Sequence, residues 1–196
     1  MQQSEDHGPL LEKFRPYLRM LARTQLNPRL QSRIDASDLA QETLLRAHEG
    51  IARLQDTEKI QAWLKGILAN VAKEQIRNSR ADKRDIEREQ ALSSLEGSSR
   101  NLEEWLAASG LGPSGQAAHN EQLLELARAL EELPANQRQA IEWRFFHRHS
   151  VNEVAKIMNI TPAAVAGLVR RGLDSLRAHL TGKNDAKSQT SRGPSR

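Results

Sequence analysis

Wherever apolar residues cluster in this chain they recur at helical spacing, and nowhere do they alternate as a strand would require. Leu10, Leu11, Phe14, Tyr17, Leu18 and Leu21 make the stripe of a first helix, which fades near Asn27-Pro28 because the residue before a proline is biased out of the helical region. A second helix is predicted to start around Asp35 to Asp38, where carboxylates suit the positive end of a helix, and to run through DLAQETLLRAHEG to Gly50. After a loop from Ile51 to Lys59, the residues Ile60, Trp63, Leu64, Ile67, Leu68 and Val71 line a long third helix. It carries on through Ile76 toward Arg84, apolar on one face at first and strongly basic later. Trp63 sits amid Ile60, Leu64 and Ile67, which favours a core position over a role as a stacking platform.

From about Asp85 to Asn120 the period fails, as SSLEGSS and SGLGPSG place Gly and Ser clusters where a helix would have to pass. This stretch reads as an extended linker with a short helical fragment at Leu102 to Ala108, anchored by Trp105. QLLELARALEELP then resumes the period until Pro134, and ANQRQAIEWRFFHRH forms another helix. Ser150 and Glu153 have capping-box spacing, so a helix begins at Val151 and runs to Asn159, a residue that tolerates the left-handed turn of a tight helix end. Thr161 is a good N-cap and Pro162 fits the first helical position. Two helices whose starts lie this close must meet at a sharp corner, and the pattern is a helix-turn-helix. In its second helix Val165, Leu168, Val169, Leu173, Leu176 and Leu180 share one side, while Thr161, Ala164, Arg170, Arg171 and Arg177 occupy the free one. Such a free side suits the major groove, with the first turn at base edges and arginines on phosphates.

The predicted organisation is therefore all-α. Two small helical domains, residues 10–84 and 121–180, are joined by a flexible acidic linker over 85–120. A short extension precedes them and a disordered basic tail, 181–196, follows.

The net charge of +4 conceals a segregation. Residues 60–84 carry six basic and two acidic side chains and 138–180 carry seven and three, whereas 85–137 carry three and ten. Two basic blocks flanking an acidic connector suit a long polyanionic partner, because each neutralised phosphate releases counterions. The chain has no cysteine, which excludes disulfides and thiolate metal sites and agrees with a reducing cytoplasm. No apolar run approaches bilayer length and MQQSEDHGPL has no signal-peptide character, so a soluble, cytoplasmic protein without membrane insertion is expected.

Three segments in this order, DASDLAQETLLRA from Asp35, IQAWLKGILANVAKEQIRNSRADKRD from Ile60, and LEELPANQRQAIEWRFF followed by the helix-turn-helix, resemble bacterial RNA polymerase sigma factors of the sigma-70 family. The likeness is to the small two-domain extracytoplasmic-function (ECF) type. It implies a factor that binds core RNA polymerase, directs it to promoter DNA, opens the minus-ten region and touches the minus-thirty-five element. The DLAQE helix would be the polymerase dock, with Asp35, Asp38, Gln41, Glu42 and Leu45 as its residues. Spacing agrees, since Asp38, Gln41, Glu42 and Leu45 stand at i, i+3, i+4 and i+7, while Ala40, Leu44 and Ala47 face the other way. Carried over by position, the minus-ten contacts are Gln55 and Asp56 in the loop and Asn70, Lys73, Arg77 and Arg80 on the third helix. The minus-thirty-five contacts are Thr161, Pro162, Ala164, Val165, Arg170 and Arg171. Where relatives usually carry a lysine and an arginine, this chain has Ala166, Gly167 and Leu168, which shifts the expected contacts toward Arg170 and Arg171. The resemblance adds an anti-sigma factor as a candidate partner and reads the acidic linker as a tether, with mimicry of nucleic acid in the polymerase channel as the alternative.

An enzyme is the first rival. His147 and His149 are the only close histidine pair, and at i, i+2 on a helix their rings would point to opposite sides. No metal set, phosphate loop or nucleophile motif accompanies them, so no catalytic residue, metal or cofactor is expected. The second rival is a helix-turn-helix regulator acting without core polymerase; the acidic face of the second helix argues against it.

Overall fold

The computed structural model describes residues 7–25, 34–54, 56, 59–79 and 116–190. The expectations for Gln55, Arg80, the Asn27-Pro28 helix end, the linker fragment at Leu102 to Ala108 with Trp105, and the last residues of the tail lie outside them. Every regular element among the described residues is helical, and the all-α class read from the sequence holds. The chain divides into two compact units, residues 1–124 and 125–196.

In the first unit the single N-terminal helix of the sequence reading is two: α1 (Gly8–Glu12) and α2 (Arg15–Gln25). The apolar stripe could not reveal this break. Pro16 has no N–H to give the Glu12 carbonyl and its ring crowds that oxygen, so the helix restarts with Pro16 in its first turn. The Phe14 N–H closes α1 onto Leu11 O at 2.9 Å, and the Arg15 guanidinium spans the break to Glu12 at 2.6 and 2.7 Å. Next comes α3 (Ala36–Gly50), capped by Asp35, whose carboxylate accepts the Ser37 N–H at 2.6 Å. A short 3-10 turn, Ile51–Arg53, leads out of it, and α4 (Ile60–Ser79) completes the unit.

α3 packs against both α2 and α4. Leu18, Met20 and Leu21 of α2, Leu39, Ala40, Leu44 and Ala47 of α3, and Leu64, Leu68 and Val71 of α4 are all buried and form the core. Removing a side chain such as Leu64 from water contributes about 2 kcal/mol, which is why these helices hold together without disulfides. Thr43, fully buried on α3, satisfies its hydroxyl by donating to Leu39 O at 2.7 Å.

The second unit is built from α5 (Gln116–Glu132), α6 (Ala135–Ile141), α7 (Val151–Met158) and α8 (Pro162–Thr190). α5 starts five residues before the expected boundary at 121 and runs across the division between the units. Pro134 ends it and begins α6, its carbonyl accepting the N–H groups of Gln137 and Arg138 at 2.9 and 3.0 Å. α6 passes directly into a π-helical turn, Glu142–Phe146, that buries Trp143 and Phe146. The helix predicted through His149 therefore stops at Phe146, and Arg148 takes a left-handed φ of 55°. α8 runs on to Thr190, ten residues into the segment expected to be a disordered tail, in which no proline intervenes before Pro194.

Two glycines on exposed and packed sites make opposite demands. A Cβ at Gly66, exposed on α4, would meet nothing within 4 Å, whereas one at Gly172 on α8 would stand 2.6 Å from Ile141 Cδ1 in the core. Gly66→Ala is expected to stabilise the protein by about 0.5–1 kcal/mol through helix propensity. Gly172→Ala gains the same propensity but overpacks Ile141, for a net loss of about 1 kcal/mol or more. Thermal unfolding of the two variants should shift in opposite directions; a rise in both would mean that α6 and α8 can separate at no cost.

Candidate functional site

The residues singled out from the sequence fall on three surfaces. The first is the outer edge of α3. Asp38 and Gln41 are exposed, and Leu45 keeps 57% of its surface in water, while Leu39, Ala40, Thr43, Leu44 and Ala47 on the other side are buried. Asp35 is exposed too, though its carboxylate is engaged in capping the helix. Glu42 is only half exposed, because Arg46 donates to it from Nε at 2.8 Å. The same guanidinium reaches across to α4 and donates from Nη2 to Glu74 at 2.7 Å. Held between two carboxylates, Arg46 has its pKa raised, first by Glu74 and then by Glu42. The Arg46 hydrogen bond correspondingly lowers that of Glu74. The Glu42 to Arg46 spacing is an i, i+4 pair legible in sequence, but Glu74, 28 residues on, is not.

The second surface is the polar side of α4. Asn70, Lys73 and Arg77 are exposed along it, and Glu74 stands among them. In the preceding loop Asp56 pairs with Lys59 at 3.0 Å. Trp63 is half-buried and lies against the end of α3, so close that a Cβ on Gly50 would come within 3.2 Å of its Cζ2. It is thus a partly covered packing residue at the loop's edge.

The third surface is the helix-turn-helix. The capping box at the start of α7 is complete. The Ser150 hydroxyl accepts the Glu153 N–H at 3.3 Å, and the Glu153 carboxylate accepts both the Ser150 N–H and its hydroxyl at 2.7 Å. At the other end Asn159 takes a left-handed φ of 54°, and the Ile160 N–H closes on Ala155 O at 3.0 Å. Thr161 caps α8 by accepting the Ala164 N–H at 3.2 Å. Val154, Ala155, Val165 and Trp143 form the small core beneath the turn, with Val151, Met158 and Val169 around it. Val165 is completely buried there, so its expected place among the groove contacts is corrected: its side chain orients α8 and cannot touch a base.

Thr161, Pro162 and Ala164 remain exposed, as do Arg170 and Arg171. The Arg171 guanidinium lies back over Gly167, where an added Cβ would stand 3.3 Å from Nη1. Arg177 pairs with Asp174 at 3.5 Å. The sequence reading also missed the arrangement beside this unit's π turn. His147 and His149 do not point to opposite sides; their rings stack at 6.1 Å and 15°, with Trp143 4.3 Å from His147. Leaving the helix at Phe146 and reversing at Arg148 brings them together. Among the described residues no group of three or more His, Cys, Asp or Glu side chains could hold a metal ion, and no helix is long and apolar enough to cross a membrane.

Two family models match the chain, one in each of these regions. The family model for Sigma-70 region 2 matches residues 10–81, and that for Sigma-70, region 4 matches residues 123–176. The ECF RNA polymerase sigma factor EcfG of Rhodopseudomonas palustris (strain TIE-1) is 30% identical over 145 residues, 74% of this chain and 71% of the relative. The chain belongs to the sigma-70 family. Two further ECF RNA polymerase sigma factors, both of Bacillus subtilis (strain 168), are each 26% identical: SigW over 74% of this chain and 75% of its own length, SigX over 73% and 69%. As an ECF sigma factor the protein directs promoter-specific initiation of transcription. The region 2 match runs from within α1 through α4, and the region 4 match takes in the π turn, α7 and the first half of α8.

The capping box gives the sigma factor's region 4 a pH signature. Hydrogen bonds from the Ser150 hydroxyl and N–H lower the pKa of Glu153 below its ordinary value. A depressed carboxylate stabilises the fold fully above its unfolded pKa, and this contribution is lost as pH falls through about 4 and below. Glu153→Gln, which keeps a capping partner but cannot titrate, should flatten the acid limb of the unfolding temperature against pH relative to the parent. Identical acid limbs would show that the box is already broken in solution.

Proposed function

We propose that this sigma factor binds core RNA polymerase through the outer edge of α3, holds the opened minus-ten strand along α4, and meets the minus-thirty-five element with the first turns of α8. Residues 10–84 then form the docking and melting domain and 121–180 the upstream-reading domain, with no catalytic step of the protein's own. The observation that carries this reading is the two-sidedness of α3: Leu45 stands 57% exposed beside Asp38 and Gln41 while the reverse of the same helix is sealed in the core. With the helix held on its buried side, Leu45 offers a fixed apolar contact between polar groups that a partner can cover.

On α4 the amide of Asn70 suits a base edge, and Lys73 and Arg77 suit the strand backbone. Opening needs no nucleotide hydrolysis, since bases captured outside the stack offset the few kcal/mol lost on unstacking them. On α8 the exposed first turn is small, Thr161, Pro162 and Ala164, which lets the helix approach the groove closely. Arg170 and Arg171 supply the longer reach.

Replacing Asp38 and Leu45 together by alanine is expected to weaken binding to core polymerase at least ten-fold with the unfolding temperature unchanged, because both side chains are exposed. Pull-down and titration with core enzyme check it. Normal holoenzyme assembly by the double variant would remove α3 as the dock. Failure of the parent protein to associate with the core enzyme would return the reading to a helix-turn-helix regulator acting alone.

A further inference from the structure

Glu74 is out of place on the surface assigned to DNA. It is the only acidic residue between Ile60 and Ser79, and it follows Asn70 by four positions and precedes Arg77 by three, so it shares their face of α4. A free carboxylate there would repel an incoming phosphate. It would also offer Arg77 an i, i+3 ion pair, drawing that guanidinium down onto the helix. Arg46 comes over from α3 and takes that carboxylate instead, donating to Glu74 at 2.7 Å and to Glu42 from Nε at 2.8 Å, which leaves Arg77 with a through-space attraction to Glu74 in place of a close ion pair. The planar guanidinium fork suits two carboxylates on two helices, which a lysine's point charge would not hold in the same way.

We propose that Arg46 is a positioning residue for promoter DNA: by neutralising Glu74 it leaves Arg77 free for the strand backbone. This rests on the reading of α4 as the strand-holding helix. A purely mechanical role fits the geometry poorly. The Arg46 side chain is 36% and the Glu74 side chain 41% exposed, and ion pairs at such exposure contribute little to stability. α3 and α4 are already joined by Leu39, Leu44, Leu64 and Leu68 in the core. What the pair does change is the charge presented beside Arg77.

The test uses full-length protein assembled with core polymerase at saturating factor, and promoter DNA with a single-stranded minus-ten segment, titrated over a range of salt. Arg46→Ala is expected to weaken binding three- to ten-fold and to lower the salt slope by about 0.7, the loss of one phosphate contact on a single strand. Arg77→Ala should do the same, and the two together should cost less than the sum of the single losses, exceeding Arg77→Ala only by the repulsion of the bared Glu74 carboxylate. Arg46→Ala with Glu74→Gln should restore the parent affinity and slope, although it rebuilds no bridge between the helices. If the glutamine does not rescue, Arg46 is a staple and the proposal is overturned. If Arg77→Ala itself leaves the slope unmoved, the strand-holding reading of α4 falls and takes the proposal with it. Glu74→Gln alone, which keeps every buried contact, should leave the slope at or above the parent value; a lower slope would also overturn the proposal.

Discussion

Burial of one stripe of α3, from Leu39 and Ala40 through Thr43 and Leu44 to Ala47, is the constraint that organises the first unit. A helix sealed on one side between α2 and α4 cannot turn about its axis, because each residue of rotation would bring a charge into the core and a leucine into water. The outer edge is thereby set with the same precision as the core. Small residues at Ala40 and Ala47 let the neighbouring helices come close, and the buried Thr43 is tolerated only because its hydroxyl finds the Leu39 carbonyl. The exposed edge is a by-product of packing: Asp38, Gln41 and Leu45 are where they are because their neighbours are inside.

The second unit reaches the same end by closing a corner. Ser150 and Glu153 start α7, Asn159 stops it in a left-handed conformation, and Thr161 starts α8, so few backbone groups at the turn go unpaired. The small core of Trp143, Val154, Ala155 and Val165 then sets the roll of α8. Burying Val165 turns Thr161, Pro162 and Ala164 outward, and the lack of a side chain at Gly167 gives the Arg171 guanidinium its place along the helix. Orientation and exposure of this helix are one decision, made by a valine.

Electrostatics links the surfaces of the first unit. Arg46 answers one carboxylate on α3 and another on α4, so a change at either is felt by the charge pattern of both. A shared arginine keeps the acidic edge of α3 and the basic edge of α4 from cancelling each other within one small unit.

The helical class, both segments that match the family, the caps at Ser150 and Thr161, the turn at Asn159 and the exposed edge of α3 were all legible in the residues, because each depends on chemistry within one turn of helix. Apolar period, cap spacing and a left-handed stop are local, and local rules read along the chain. The break at Lys13 to Phe14 is local too, but the unbroken apolar stripe hid what Pro16 imposes. Tertiary packing alone decided the rest. It put Val165 in the core, left Trp63 half-covered against Gly50, stacked His147 on His149 after the π turn, and paired Arg46 with Glu74 across two helices. Those outcomes depend on which faces meet in space, and the spacing of residues along a chain fixes a helix's faces without saying what each will touch.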